Sequence, residues 1–105
     1  VIRQGLPDQV VIGRKYSSAC YITDSWPSVL YLALKYQTNP LKGLFVNANL
    51  GGDNVHRGSI LGTIFGLLGV SEANYLFEKL TDTKTLENEI ETMCNISSLP
   101  DNPSA

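Results

Sequence analysis

Apolar residues recur along most of the chain at intervals of three and four, the spacing that puts side chains on one face of an α-helix. This pattern predicts helices at about residues 25–36, 40–50, 54–68, 71–80 and 83–94. Residues 1–23 are punctuated by Gly5, Pro7 and Gly13, and residues 10–12 fit either a short strand or a helical turn. The pattern contains no convincing sheet, so the predicted fold class is all-α.

The first of these helices has a marked start. Asp24 or Ser25 is predicted to accept hydrogen bonds from its first free N–H groups. Pro27 then lies in the first turn, where a missing N–H has no effect. Its predicted inward face, flanked by Val29 and Tyr36, consists of Trp26, Leu30, Ala33 and Leu34.

The second helix has both a start and a stop. Asn39 is predicted to cap it, and Pro40 takes the first helical position. Gly51 and Gly52 predict its end, because glycine accepts the left-handed backbone that a helix terminus often needs. Asp53 then lies at the N-cap of the third helix.

The third helix is unusual because Gly58, Gly62 and Gly66 recur at every fourth position. Each interior glycine costs about 1 kcal/mol relative to alanine. We therefore expect another helix backbone to pack closely against this glycine stripe. The rest of the helix is apolar in nearly every direction, which is typical of a buried helix. The other helices of this chain barely suffice to bury it.

The last two helices are read from shorter patterns. Ser71 is the predicted cap of the fourth helix, whose inward residues are Leu76, Phe77 and Leu80. The fifth is amphipathic. Its apolar face holds Leu86, Ile90 and Met93, and its outward face holds Glu87, Glu89 and Glu91. Residues 96–105 contain two prolines and no periodicity, so they are predicted to form a loose tail.

Composition narrows the class of protein. Charged residues make up 17% of the 105 residues, below the ~25% of a typical globular protein. The chain also begins with Val1, and both features are expected of part of a larger domain, although processing of the chain is an alternative explanation. The net charge of −2 argues against direct nucleic-acid binding, which needs a dense basic surface.

Three further observations bear on location. The longest uncharged stretch has 14 residues, fewer than the ~20 that a membrane span needs. Cys20 and Cys94 have neither a disulfide-framework nor a zinc-site spacing. Arg3 and Asp8 interrupt any apolar run near the first residue, so no signal peptide is apparent. We therefore expect a cytoplasmic protein with no membrane partner.

Polar side chains gather where the second helix ends and the third begins. Paired glycines give access to the backbone, and the helix start offers free N–H groups and positive dipole charge. This combination suits a hard metal ion or an anionic ligand. The side chains are Asn49, Asp53, Asn54, His56 and Arg57. In the structural alternative, Asp53 is a plain N-cap, His56 lies between helices, and Arg57 forms a surface ion pair.

The segment Asn49-Leu50-Gly51-Gly52-Asp53, followed by the glycine-striped helix, resembles the C-terminal metal motif of the ADP-ribosylglycohydrolase family. This family includes ADP-ribosylarginine and ADP-ribosylserine hydrolases, dinitrogenase reductase-activating glycohydrolases and the jellyfish J1 crystallins. Its usual motif reads Asn/Ser-x-Gly-Gly-Asp-Thr-Asp-Thr. Upstream, Ser25-Trp26-Pro27 followed by Leu30-Tyr31 resembles the family's Ser/Leu-x-Pro-x-Ala-x-Tyr helix. The resemblance covers about residues 19–69.

The resemblance implies a multi-helix orthogonal bundle. Residues 1–95 would be the C-terminal part of one ADP-ribosylglycohydrolase-like domain, packed on N-terminal helices that this chain lacks, and residues 96–105 would be the tail. It also implies two Mg²⁺ ions held by two ligand clusters. The N-terminal Thr-Asp-Asp-type cluster is absent from this chain.

Within the other cluster, Asp53 matches the first aspartate of the motif. Val55 stands at the second aspartate, and His56 stands at the Thr/Ser. Asp53 and His56 are therefore the predicted metal ligands. Because imidazole suits Mn²⁺, Zn²⁺ or Fe²⁺ better than Mg²⁺, another divalent metal such as Mn²⁺ is an alternative to Mg²⁺.

The activity that the resemblance implies is metal-assisted hydrolysis of an ADP-ribosyl bond, or of a related N- or O-glycosidic bond. The partner would be ADP-ribose or an ADP-ribosylated small molecule or protein. This chain would supply the Gly-Gly-Asp half of the site and would be inactive when isolated. The predicted ligand-binding residues are Tyr21, Asn49, Gly51, Gly52, Asn54 and Arg57. No catalytic residue is assigned, since no base is apparent near Cys20.

Two alternatives remain open. The first is a catalytically inactive homologue that binds ADP-ribose or has a structural, crystallin-like role, which Val55 favours because valine offers no ligand atom. The second is an unrelated helical interaction module in which the Gly-Gly-Asp segment is merely a turn.

Overall fold

The computed structural model describes residues 2–69 and 73–97, which form a short 3-10 turn at Ile2–Gln4 and six α-helices. The helices are α1 (Asp8–Val11), α2 (Ile22–Lys35), α3 (Pro40–Leu50), α4 (Asn54–Leu67), α5 (Ala73–Glu78) and α6 (Thr83–Ser97). No strand occurs within these ranges, although an isolated bridge joins Ile12 to Tyr16. The all-α prediction is confirmed, and residues 10 and 11 belong to a helical turn.

The chain divides into two compact units, residues 1–73 and 74–105. In the first unit, α4 packs against both α2 and α3, while α3 also contacts α1 and α2. The core of this unit lies between these helices. Its side chains are Val11, Ile12, Tyr31, Leu32, Ala33, Tyr36, Leu61 and Phe65. The predicted domain boundary at residue 95 stays a prediction.

The carboxylate of Asp8 joins α1 to α2. Its Oδ1 accepts hydrogen bonds from the Tyr31 hydroxyl and from Lys35 Nζ, both at 2.6 Å. Its Oδ2 accepts a third from the Tyr36 hydroxyl, also at 2.6 Å. These bonds satisfy the phenol groups, and this allows both tyrosine rings to enter the core.

The start of α2 differs from the prediction. The helix begins at Ile22, so Asp24 and Ser25 lie inside it, and both are wrong as caps. Pro27 consequently lies beyond the first turn, where its missing N–H leaves the carbonyl of Thr23 without the usual donor. Because Thr23 is exposed, water can bond this carbonyl. The predicted end near residue 36 is confirmed.

The buried face of α2 also differs from the prediction. Trp26, Leu30 and Leu34 are 46%, 39% and 58% exposed. Ala33 is buried as predicted, but the other buried residues of the helix are Ser28, Val29, Tyr31 and Leu32. Two faces of α2 satisfy the same helical spacing, because nearly every turn carries apolar residues. Contacts with the other helices decide which face lies inward.

The helix α3 confirms its predicted start and stop. Asn39 occupies the N-cap, and its side-chain oxygen accepts a hydrogen bond from the Lys42 N–H at 3.2 Å. Gly43 lets α3 approach its neighbours closely, since a Cβ there would lie 2.8 Å from the Tyr36 Cβ and 3.2 Å from the Phe65 ring. A glycine outside the predicted stripe therefore allows the close packing.

Within the described residues no helix packs closely on the glycine stripe of α4 at Gly62 and Gly66, so the expected close approach there stays a prediction. A Cβ at either position would meet no described atom within 4 Å. At Gly58 a Cβ would lie 3.1 Å from the Asn47 side chain, and not against a helix backbone. The reason is that α4 meets its neighbours along a different face.

Within the described residues α4 is not covered on all sides, so its complete burial stays a prediction for the larger domain. Its buried side chains are Arg57, Leu61 and Phe65, whereas Val55 and Leu67 are 76% and 84% exposed. The helix contacts only α2 and α3 extensively within the described ranges, so much of its apolar surface stays uncovered. Despite this apolar character, neither α4 nor any other described helix has the length and hydropathy that crossing a bilayer requires.

The second unit contains α5 and α6. The predicted fourth helix spans Ala73–Glu78, and its predicted cap, Ser71, lies outside the described residues. Leu76 and Phe77 are half-buried, but Leu80 is exposed, against the prediction, because α5 ends before it.

The helix α6 runs to residue 97, beyond the predicted end at residue 94. The first two residues of the predicted tail are thus helical, and the remainder lies outside the described residues. The glutamates of α6 are exposed as predicted. On the predicted apolar face Leu86 is half-buried, whereas Ile90 and Met93 are 50% and 69% exposed.

Candidate functional site

A cleft of about 290 Å³ lies between the start of α2 and the start of α4. From α2 and the residues before it come mainly apolar side chains, and the charged ones come from α4 and its N-cap. The lining residues are Cys20, Ile22, Ser25, Trp26, Val29, Asp53, His56, Arg57 and Ile60. The fold therefore brings together the two segments on which the family resemblance depends.

Gly51 and Gly52 shape the turn that leads into α4. Their φ angles are 69° and 63°, and Gly51 combines its φ with a ψ of −155°, a region open essentially to glycine alone. A Cβ on Gly52 would overlap the carbonyl oxygen of Ser18 and lie 2.6 Å from its Cβ. Glycine is therefore required at both positions, by the backbone conformation and by the approach to Ser18.

The backbone of Ser18 anchors this turn from the other side. Its carbonyl oxygen accepts a hydrogen bond from the Asp53 N–H at 2.8 Å. It also accepts one from Arg57 Nη1 at 3.0 Å. These bonds fix the N-cap of α4 against the loop that precedes α2.

The Arg57 side chain, only 1% exposed, joins three segments of the chain. In addition to the bond from Nη1 to Ser18, Arg57 Nε donates to Asn47 Oδ1 at 3.0 Å, and Nη2 donates to the Gly51 carbonyl at 2.6 Å. Burial lowers the pKa of Arg57 from its ordinary value, and the nearby charge of Asp53 opposes this. The guanidinium thus holds the turn in place, and its role in ligand binding stays a prediction.

Asn47 completes this network, although the sequence alone assigned it no role. It is 3% exposed, and its Nδ2 donates to the Asn54 carbonyl at 2.8 Å. The Asn54 side chain in turn donates to the Ala48 carbonyl at 2.8 Å. The two asparagines therefore join the end of α3 to the start of α4. In the sequence, this pairing is indicated only by the positions of Asn47 before and Asn54 after the paired glycines.

Asp53 and His56 form a pair at the cleft. Asp53 Oδ1 lies 2.6 Å from His56 Nδ1, and the two side chains are 21% and 81% exposed. Since a carboxylate only accepts hydrogen bonds, Nδ1 is the donor and Nε2 is left for another partner. Asp53 occupies the N-cap position but makes no side-chain cap bond, because its carboxylate turns to the imidazole.

These residues do not form a complete metal centre by themselves. Within the described ranges, no three His, Cys, Asp or Glu side chains come close enough together to hold a metal ion. Asp53 and His56 supply one carboxylate and one imidazole, which are bonded to each other. Val55 supplies no ligand atom and is largely exposed. Mg²⁺ prefers an octahedron of oxygen ligands, so this pair alone does not fit it.

Of the predicted ligand-binding residues, Arg57 lines the cleft, whereas five lie outside its lining: Tyr21, Asn49, Gly51, Gly52 and Asn54. Tyr21 is 68% exposed at the N-cap of α2. Asn49 is exposed, and its side chain donates to the Phe45 carbonyl one turn earlier, at 2.9 Å. Conversely, Trp26 lines the cleft although the sequence placed it in the core. The sequence indication that Trp26 belongs to the site was its position immediately before Pro27 in the upstream motif.

Comparison with protein families returns one match. The sequence model described as ADP-ribosylglycohydrolase matches residues 2–95, which include every residue that lines the cleft. Comparisons with curated proteins and with solved structures found no match.

Proposed function

Because the chain belongs to the ADP-ribosylglycohydrolase family, we propose that its cleft binds an ADP-ribosyl group and takes part in hydrolysis of the N- or O-glycosidic bond to that group. The observation that carries this proposal is the Asp53–His56 pair, which lies in the cleft at the position of the Gly-Gly-Asp motif. Family membership removes the alternative of an unrelated helical module.

The start of α4 offers one set of groups to the ribose of such a ligand and another to its diphosphate. The Asp53 carboxylate accepts hydrogen bonds, so we assign it to the ribose hydroxyls. Because that carboxylate does not cap the helix, the first N–H groups of α4 and the positive end of its dipole are left to attract the diphosphate. The buried guanidinium of Arg57 adds positive charge behind this turn.

The metal is part of the proposal. The family is generally dependent on divalent metals. We propose Asp53 as one ligand and His56 as a second, with the other ligands outside the described residues. Mg²⁺ is the family expectation, and Mn²⁺ is the alternative because it accepts imidazole more readily.

We also propose what covers the exposed apolar residues of this unit. Leu30 and Leu34 of α2 and Val55 and Leu67 of α4 are each more than a third exposed. N-terminal helices of the same domain would bury them, as the family resemblance implies, and would bring the missing ligands. A cytoplasmic location stays a prediction.

A second candidate function is binding without catalysis. Val55 supports it, because this position offers no carboxylate where the family motif has its second aspartate. Such a homologue would bind ADP-ribose, or serve a structural role, without cleaving a glycosidic bond.

Calorimetric titration of the full-length protein with ADP-ribose tests the proposed site, with Mg²⁺, with Mn²⁺ and with a chelator. We expect metal-dependent binding that Asp53→Asn weakens at least about tenfold, the loss typical of a charged hydrogen-bond partner. Asp24→Asn, an aspartate of α2 outside the cleft lining, serves as the matched control. No heat under any condition, or equal binding by Asp53→Asn, would refute the site. Release of ADP-ribose from ADP-ribosylated arginine or serine separates hydrolysis from binding alone.

A further inference from the structure

The Arg57 side chain connects two segments of the chain that meet at the cleft. The first is the segment before α2, where Ser18 lies two positions before Cys20, a lining residue of the cleft. The second is the turn from Gly51 to Asp53, which ends in another lining residue. Arg57 Nη1 donates to the Ser18 carbonyl, and Nη2 donates to the Gly51 carbonyl. One guanidinium therefore bonds both segments at once.

The shape of the guanidinium suits this bridge. Its three nitrogens lie in one plane and donate in fixed, diverging directions. Each of them has its own acceptor, because Arg57 Nε also donates to Asn47 Oδ1 on α3. A lysine ammonium would keep the positive charge, but its donors share one nitrogen and cannot reach acceptors on three segments. The bridge therefore depends on the geometry of arginine as well as on its charge.

The surroundings of Arg57 leave it little to offer a ligand directly. The side chain is 1% exposed, although it borders the cleft. Its nitrogens donate to neutral oxygen atoms of the chain itself. The Asp53 side chain, in contrast, is 21% exposed and lies beside the bridge, since the Asp53 N–H bonds the same Ser18 oxygen at 2.8 Å. Movement of the bridge would therefore move the carboxylate assigned to the ribose.

Building on the proposed function, we infer that Arg57 is a positioning residue for ligand binding. It holds the segment before α2 and the turn before α4 at the separation at which Asp53 faces the ligand. Its effect on affinity passes through this geometry, and a positive charge at the same position does not replace it. The role expected from the sequence was direct contact with the ligand.

Amide hydrogen exchange in the full-length protein without ligand measures the bridge itself. The Asp53 N–H reports on it, because this group bonds the Ser18 carbonyl between the two segments. The N–H of Leu61, a fully buried residue inside α4, reports on the stability of the unit as a whole. Arg57→Lys should speed exchange at Asp53 at least about tenfold more than at Leu61, the loss expected for one charged hydrogen bond. Equal acceleration at both positions would overturn the inference, since a merely structural role predicts it.

Calorimetric titration with ADP-ribose separates geometry from charge. Arg57→Lys and Arg57→Ala should both weaken binding at least about tenfold, and to a similar extent. Arg14→Lys is the matched control, because Arg14 is exposed and lies outside the cleft lining. This control should bind as the wild type does. Binding by Arg57→Lys at the wild-type affinity would show that charge alone suffices and would overturn the inference.

Rescue by free guanidinium distinguishes positioning from general stability. Arg57→Ala removes one donor from each of three acceptors and leaves the space of the side chain. Guanidinium chloride, at concentrations too low to unfold the protein, should slow exchange at the Asp53 N–H and tighten ADP-ribose binding in this variant. Guanidinium otherwise destabilises folded proteins, so a loss of general stability predicts the opposite sign. Ammonium chloride at the same concentration is the control, and equal effects of the two salts would overturn the inference.

Asn47→Ala decides the question if the Arg57 variants do not fold. It retains the guanidinium and removes the acceptor of Nε. Exchange should still accelerate more at Asp53 than at Leu61, and equal acceleration would again overturn the inference.

The exchange measurement needs no ligand, which separates this inference from the function on which it rests. If the wild type binds ADP-ribose and Arg57→Lys leaves exchange at Asp53 unchanged, the inference fails and the proposed function stands. If the wild type does not bind ADP-ribose, the proposed function fails, whereas preferential exchange at Asp53 still supports the bridge between the two segments.

Discussion

Replacement of Gly52 by alanine tests how the turn before α4 is built. This residue has a φ of 63°, and an added Cβ would overlap the carbonyl oxygen of Ser18. Backbone atoms cannot swing aside as the end of a flexible side chain can. The loop around Ser18 must therefore move, and the two hydrogen bonds that this oxygen accepts must weaken.

The magnitude follows from three contributions. Left-handed backbone costs a non-glycine residue about 1–2 kcal/mol. Loss of the bond from the Asp53 N–H removes about 1 kcal/mol, and loss of the bond from the charged guanidinium of Arg57 removes about 1.5–3 kcal/mol. Gly52→Ala should therefore lower the free energy of unfolding by roughly 4–6 kcal/mol, a large part of the ~5–15 kcal/mol of a typical domain.

Gly5→Ala is the matched control. Gly5 has the same φ of 63°, but a Cβ there would meet no described atom within 4 Å. It should cost only the backbone strain, about 1–2 kcal/mol. Urea unfolding followed by Trp26 fluorescence reports on the first unit, which contains the chain's one tryptophan. A Gly52→Ala cost no larger than that of Gly5→Ala would refute the role assigned to Ser18.

Three further predictions concern stability. Burial acts to raise the pKa of Asp8. Hydrogen bonds from Lys35, Tyr31 and Tyr36 outweigh this effect and hold the pKa below 3.8. The ionised Asp8 carboxylate therefore stabilises the fold above pH 3.8, and this contribution is lost as the pH falls through the lowered pKa. Urea titrations across the acid range should show this loss of stability. In Asp8→Asn, stability should depend less on pH over the same range. Burial and then the bond to Asp8 raise the pKa of Tyr36 from 10.0 to about 12, so stability should fall as the pH rises between these values, and less so in Tyr36→Phe. Asn47→Ala should lower the free energy of unfolding by about 1–3 kcal/mol for each buried group that it leaves unpaired. Asn49→Ala, at an exposed position of the same helix, should change it by less than about 0.5 kcal/mol in the same urea assay.

Local chemistry explains the features that were predictable from the sequence. Asn39 with Pro40 marks the start of α3, and Gly51 marks its end, as the structure confirms. Each of these residues acts on backbone groups within about four positions, so its effect can be read directly from neighbouring residues. The Gly-Gly-Asp segment was recognisable for the same reason, since the motif is continuous in sequence.

The predicted start of α2 was wrong, and proline was its main indication. Pro27 suggested that α2 starts just before it, yet the helix starts at Ile22. A single unpaired carbonyl close to an exposed helix end costs little, because water replaces the missing donor. Proline there permits either boundary, and the Asp24 and Ser25 N–H groups donate to the Tyr21 carbonyl, so the helix begins at the earlier one.

Tertiary contacts alone decided which face of α2 lies inward and what Arg57 does. The Tyr31 hydroxyl bonds Asp8, 23 positions away, and Arg57 bonds the backbone of Ser18, 39 positions away. Hydrophobic spacing predicted a helix there but not its rotation, because α2 is apolar on two faces. The sequence by itself determined the helices and the Gly-Gly-Asp turn, since these depend on neighbouring residues. Only the tertiary structure placed Trp26 and Asp53 in one cleft, because burial and the cleft depend on contacts between distant segments.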